Sequence, residues 1–119
     1  MLRFAKMNGA GNDFVLIDNR SGVHKLSPRE IAFLCDRHRG VGADGVLLVE
    51  APTGNADFRM RYYISDGGEA EMCGNGARCF ARFLDKIGGP FSEVSFETMA
   101  GVIQATFEGV SGETLLTVD

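Results

Sequence analysis

The sequence has no run approaching the roughly 18 consecutive apolar residues that a membrane span requires. Its start, Met1-Leu2-Arg3-Phe4-Ala5-Lys6, has no apolar stretch behind a basic head, so a secretory leader is not expected. Basic charge is not in excess either. Twelve Lys and Arg stand against 16 Asp and Glu, a net charge of −4, whereas nucleic acid or an anionic membrane surface calls for a basic face. Cysteine is scarce, three residues at irregular spacing. An odd count without framework spacing argues against a disulfide-stapled fold and for a reduced, cytoplasmic protein. Repeats, low-complexity tracts and linkers are missing as well, so the 119 residues read as one domain.

What is present is an average globular mixture, 45% hydrophobic and 24% charged, which excludes a disordered or fibrous chain. Glycine is the exception: 16 residues, about twice the usual ~7%. These glycines mark places where the backbone turns sharply or approaches something closely.

Leu2 to Lys6 predicts a short strand, followed by a Gly-rich loop, Asn8-Gly9-Ala10-Gly11-Asn12. Phe14 to Ile17 is an apolar run fit for a buried strand. Ser27-Pro28-Arg29-Glu30 forms a capping box with Pro at the first helical position. Ile31, Leu34 and Cys35 then share a helix face, and Gly40 is expected to close that helix. Val46 to Val49 is the next buried strand. Phe58, Met60, Tyr62 and Ile64 alternate with Arg59, Arg61 and Tyr63, the period of a strand with one buried face, which leaves the two arginines on a solvated one. Ser65 to Gly68 ends it. From Gly74 the period changes. Phe80, Phe83, Leu84 and Ile87 form a helical stripe widened by Ala77, Cys79 and Ala81, and Gly88-Gly89-Pro90 stops it. Strands over Val94–Thr98, Val102–Phe107 and Thr114–Val118 complete the chain. The sum is an α+β domain, a mostly antiparallel sheet with two helices, one of them central.

The segment Met72-Cys73-Gly74-Asn75-Gly76-Ala77-Arg78-Cys79 carries the clearest chemistry. A thiol placed just before a helix meets amides that lack internal partners and the positive end of the helix dipole, which lowers its pKa. Gly74 and Gly76 let a ligand approach the backbone, and the same amides can hold a carboxylate. Cys73 is thus a candidate acid/base; the plainer alternative is a structural Cys beside a tight turn. Cys79 lies within the apolar stripe and is expected in the core. Asn12 and Asn75 offer both donor and acceptor to an amino-acid head group. Cys35, His38, Cys73 and Cys79 do not have zinc-site spacing, so no metal is expected. Neither Gly-rich loop has a nucleotide-binding pattern, and His24 and His38 fit surface or helix-end positions.

Gly9-Ala10-Gly11-Asn12-Asp13-Phe14, Gly40-Val41-Gly42-Ala43-Asp44-Gly45, Asp66-Gly67-Gly68-Glu69 and Cys73-Gly74-Asn75-Gly76-Ala77-Arg78-Cys79 closely resemble the diaminopimelate epimerase family, in order and spacing over essentially the whole chain. Thr98-Met99-Ala100-Gly101 resembles that family's strand after its central helix. The resemblance implies two similar domains, each a sheet wrapped around a central helix, with the active site between them. It also implies an enzyme that interconverts LL- and meso-diaminopimelate without a cofactor, for lysine and peptidoglycan synthesis, as a cytoplasmic homodimer. A thiolate and a thiol, one per domain, would face the α-carbon from opposite sides. Cys73 matches the first of these cysteines, and Asn12, Gly74 and Asn75 match substrate-binding positions.

Two departures from the family pattern stand out. Ile64 occupies a position where the family usually has a substrate-binding Asn. The family's chain is also more than twice this length, and its second cysteine, in a later Cys-Gly-[Ser/Thr]-Gly segment, has no counterpart among these residues. Residues 1–119 therefore resemble the N-terminal domain, without the C-terminal one, and are expected to be inactive alone. A racemase or epimerase of the same superfamily with another amino-acid substrate, and a non-catalytic binding module, are the alternatives.

Overall fold

The computed structural model describes residues 2–9, 11–71, 74–108 and 113–118. Its elements run β1 (Ala5–Gly9), β2 (Asn12–Asp18), α1 (Pro28–Cys35), β3 (Gly45–Glu50), β4 (Phe58–Ile64), β5 (Glu69–Ala70), α2 (Gly74–Gly88), β6 (Glu93–Thr98), β7 (Gly101–Glu108) and β8 (Glu113–Val118). The strands form one sheet in the order β1-β2-β3-β4-β6-β7-β8, with β5 paired to β4. Only β2–β3 and β4–β6 are parallel; the other pairs are antiparallel. Helix α2 packs against β1, β2 and β3 and also against β8, so the sheet curves around it. This is the α+β architecture the sequence predicts.

The apolar runs explain the layering. Phe14 and Leu16 of β2, with Leu47 and Val49 of β3, face α2. Val15, Ile17, Val46 and Leu48 face α1, together with Ile31 and Cys35. Strands covered on both faces need an unbroken apolar run instead of alternation. On α2, Phe80 and Leu84 are fully buried, and Phe80 meets Phe96 of β6 with ring centroids 4.8 Å apart. Burying a side chain of this size stabilises the fold by about 1.5–3 kcal/mol. No helix among the described residues is long and apolar enough to cross a membrane.

Three local expectations need correction. Strand β1 is shifted to Ala5–Gly9 because Gly9 pairs with Asn12, which takes Asn8, Gly9 and Asn12 of the expected five-residue loop into the two strands. Gly11 adopts a φ of 100° there, a conformation that favours glycine. Helix α1 ends at Cys35, ahead of Gly40. The Asp36 carboxylate accepts from the backbone N–H groups of His38 and Arg39 at 2.8 and 3.1 Å and turns the chain out of the helix. The N–H groups of Gly42 and Ala43 then donate to the Leu34 and Cys35 carbonyls, satisfying the helix end. Finally, Arg61 does not stand on a merely solvated face of β4. After the turn at residues 65–68, β5 folds back on it, and Arg61 of β4 makes two hydrogen bonds of 3.0 Å to the Glu69 carboxylate. Arg61 also lies 5.6 Å from the centroid of the Tyr63 ring, so it is paired and not merely solvated.

Candidate functional site

The register brings four chain segments to one end of the sheet. Phe14 is opposite Gly45, and Gly45 is opposite Ile64. The start of β2, the residues leading into β3 and the last residue of β4 therefore gather at one end, and Asn75 at the start of α2 reaches Asn12 there. Gly9 sets how closely the hairpin approaches α2: a Cβ built on it would stand 2.9 Å from Cys79 Sγ and 3.0 Å from the Asn75 carbonyl oxygen. Gly74, the first residue of α2, is exposed, and a Cβ there would meet nothing within 4 Å. The helix start is thus open on its outer side, where a ligand can reach backbone amides.

A hydrogen-bond relay joins the segments. Asn75 Nδ2 donates to Asn12 Oδ1 at 2.9 Å, and Asn12 Nδ2 donates to Asp44 Oδ2 at 3.3 Å. Asp13 and Asp44 each donate a backbone N–H to the other's carboxylate at 3.0 Å. Arg37 donates to both oxygens of Asp13, at 3.0 and 2.9 Å, and Lys6 Nζ lies 3.3 Å from Asp13. The Arg37 guanidinium, helped by the Asp44 backbone N–H and by Lys6, holds the Asp13 carboxyl well below the usual carboxylate range. The hairpin carrying Asn12 is thereby tied to the chain entering β3.

Of the residues singled out in the sequence, Asn12, Gly74 and Asn75 come together here. Cys73 lies outside the described residues; in the sequence it immediately precedes Gly74. Cys79 is fully buried in the cluster around α2, as its place in the stripe predicts. Cys35 is buried in the separate cluster around α1, where burial pushes its thiol pKa up. The sheet stands between these two cysteines. Among the described residues no group of three His, Cys, Asp or Glu could hold a metal. His38 is exposed and His24 hydrogen-bonds to Asn19 through its backbone. Asp13, Asp44 and Arg37 were not legible as a unit. They are 31 and 24 residues apart, and the parallel pairing of β2 with β3 together with the turn that follows α1 unites them. A groove of ≈760 Å³ lies along α1 and another of ≈540 Å³ lies between residues 19–27 and strands β3 and β4, and neither is lined by Asn12, Gly74 or Asn75.

Comparison with known proteins gives the following. The profile of the diaminopimelate epimerase family matches residues 4–119. The diaminopimelate epimerase of Synechococcus elongatus is 48% identical over 120 residues, covering 99% of this chain and 42% of that protein. The diaminopimelate epimerase of Nitrosospira multiformis is 50% identical over 103 residues, covering 86% and 37%. The chloroplastic enzyme of Oryza sativa subsp. japonica is 52% identical over 105 residues, covering 86% and 30%. Among solved structures, a hydroxyproline epimerase from Agrobacterium vitis superposes with a TM-score of 0.66 at 19% identity, covering 98% of this chain and 41% of that one. A PhzF-family phenazine biosynthesis protein from Bacillus anthracis gives 0.65 at 23% identity, covering 97% and 38%. At such identities the structural likeness shows the fold alone. The chain spans roughly two fifths or less of the length of these relatives.

Proposed function

The chain belongs to the diaminopimelate epimerase family, and from this premise we propose that it supplies one wall of an epimerase active site that inverts the α-carbon of diaminopimelate. The observation that supports this most is the Asn12–Asn75 amide pair at 2.9 Å, set at the exposed start of α2, directly after Cys73 in the sequence. In this reading the first amides of α2 hold the α-carboxylate. The side-chain amides orient the head group, and Cys73 as thiolate removes the α-proton.

Proton removal leaves a carbanion whose charge spreads into the carboxylate. Helix-start N–H groups aimed at that carboxylate stabilise the charge as it develops. Inversion then requires a proton delivered to the opposite face. One sulfur cannot serve both faces without crossing the substrate, so a thiol from a second domain supplies it. Residues 1–119 act in this account as the N-terminal domain. The complete enzyme is a cofactor-independent, cytoplasmic homodimer that feeds lysine and peptidoglycan synthesis.

Ile64 supports a second reading within the same chemistry. At the sheet end beside Gly45, it offers no hydrogen bond where the family resemblance places an Asn, which favours an amino acid whose distal end is less polar. Both readings are tested by incubating the intact gene product with LL-diaminopimelate and with other amino acids in heavy water. Deuterium at the α-carbon of diaminopimelate is the expected result. Exchange confined to another amino acid favours the second reading, and no exchange with any of them contradicts both.

A further inference from the structure

Asp44 has no part in the chemistry proposed above, yet it sits at the head of the relay. Its Oδ2 accepts from the Asp13 backbone N–H at 3.0 Å and from Asn12 Nδ2 at 3.3 Å, while its Oδ1 accepts from Arg37 Nη2 at 3.3 Å. Its Oδ2 already accepts from a backbone N–H and its Oδ1 from a guanidinium, so this group acts as an acceptor. The end of the Asn12 amide that faces it must therefore be the NH₂, and Asn12 Oδ1 turns toward α2. That oxygen can only accept, so Asn75 must bring its own NH₂ to it, as it does at 2.9 Å. A flip of either amide would set oxygen against oxygen or NH₂ against NH₂. The orientation of both amides follows from one acceptor oxygen, Asp44 Oδ2, that stands behind them.

We propose that Asp44 is a positioning residue for the epimerisation: through Asn12 it fixes the Asn75 amide so that Oδ1, the atom the relay leaves over, is offered to the ammonium group of an amino-acid substrate. The backbone N–H groups of the helix start are then left for the carboxylate. This inference rests on the epimerase reading and adds a direction to it. The side-chain amide recognises the donor end of the head group, and the backbone recognises the acceptor end.

The relay needs an acceptor oxygen at position 44, and that distinguishes two substitutions. Asp44→Ala removes the acceptor. Asp44→Asn removes the charge but keeps one carbonyl oxygen that can still accept from Asp13 N–H and Asn12 Nδ2. In the intact gene product, measured by α-proton exchange, Asp44→Ala is expected to raise KM about tenfold, the equivalent of one misdirected hydrogen bond, with a smaller change in kcat. Asp44→Asn is expected to stay within about twofold of the wild type, and Asn12→Ala on the Asp44→Ala background to add little, because both act through one relay. An Asp44→Asn variant as impaired as Asp44→Ala would overturn the proposal, as would additive losses. A second readout does not depend on turnover. In the ¹⁵N-labelled chain, Asp44→Ala should shift the side-chain NH₂ resonances of Asn75 as well as those of Asn12, and Asp44→Asn should leave the Asn75 pair near its wild-type position. Asn75 resonances unmoved by Asp44→Ala would refute the relay even in a folded variant. A wild-type protein that exchanges no α-proton would instead refute the epimerase reading, leaving the resonance test of the relay to decide by itself.

Discussion

Gly9 lies so close under the first turn of α2 that a Cβ on it would stand 2.9 Å from Cys79 Sγ. The hairpin and the helix are in contact at that point because no side chain separates them. Gly9→Ala is therefore expected to lower stability by about 1–3 kcal/mol, the range for forcing an extra carbon into a packed contact. Gly74→Ala is the contrast, since a Cβ there meets nothing within 4 Å; its stability should stay within about 0.5 kcal/mol of the wild type. Urea unfolding of the two variants checks both figures. Equal losses would mean that the hairpin does not rest on α2 as described.

The Asp13 carboxyl is held below its ordinary value of 3.8 by Arg37 first, then by the Asp44 N–H and Lys6. A group whose pKa is depressed by folding contributes stability that is fully present above its unfolded value and is lost as pH falls through the folded one. Arg37→Gln removes the largest cause. The stability gap between wild type and Arg37→Gln should hold steady from pH 7 to about 5 and narrow as the pH is taken below 4. Chemical unfolding midpoints across that range measure it. A gap that widens in acid would contradict the assignment.

The three thiols should differ sharply in reactivity. Cys35 and Cys79 are 5% and 0% exposed, and burial raises the Cys35 pKa further. Cys73 precedes the exposed helix start, where a thiolate is favoured. Brief alkylation at neutral pH with peptide mapping is expected to label Cys73 at least about tenfold faster than the others. Earlier labelling of Cys35 or Cys79 would count against its role.

The parts of the fold legible in sequence were those fixed by local periodicity. The stripe from Phe80 to Ile87 and the Ser27–Glu30 capping box each produced the expected helix start or face, because one element's own spacing determines them. The β1 hairpin was misjudged because glycine-rich sequence reads as loop, while the pairing of Gly9 with Asn12 is a contact between strands. Gly40 looked like a helix stop, but the Asp36 carboxylate intercepts the helix five residues after Ile31. At the site, Asn12, Gly74 and Asn75 were legible as separate residues of suitable chemistry. The Asn12–Asn75 hydrogen bond and the Asp13–Asp44–Arg37 support were not, since the first depends on how α2 packs on β1 and β2 and the second on the parallel register of β2 with β3.

In the intact gene product, Cys73→Ser should fold as the wild type does, the two side chains differing little in volume, and should lose nearly all α-proton exchange. A hydroxyl is too weak an acid to yield the base at neutral pH. Circular dichroism and exchange into heavy water separate a folding defect from a chemical one. Exchange undiminished in a folded variant would remove Cys73 from the mechanism.

In the proposed mechanism these residues provide one face of a two-faced proton transfer. It is tested most directly by following meso-diaminopimelate formation from the LL isomer with the purified 119-residue chain, alone and mixed with a separately produced second domain of a diaminopimelate epimerase. No inversion is expected from the chain alone, and inversion is expected when both are present. Sustained formation of the meso isomer by the chain alone would contradict that mechanism and place the second acid/base within these residues.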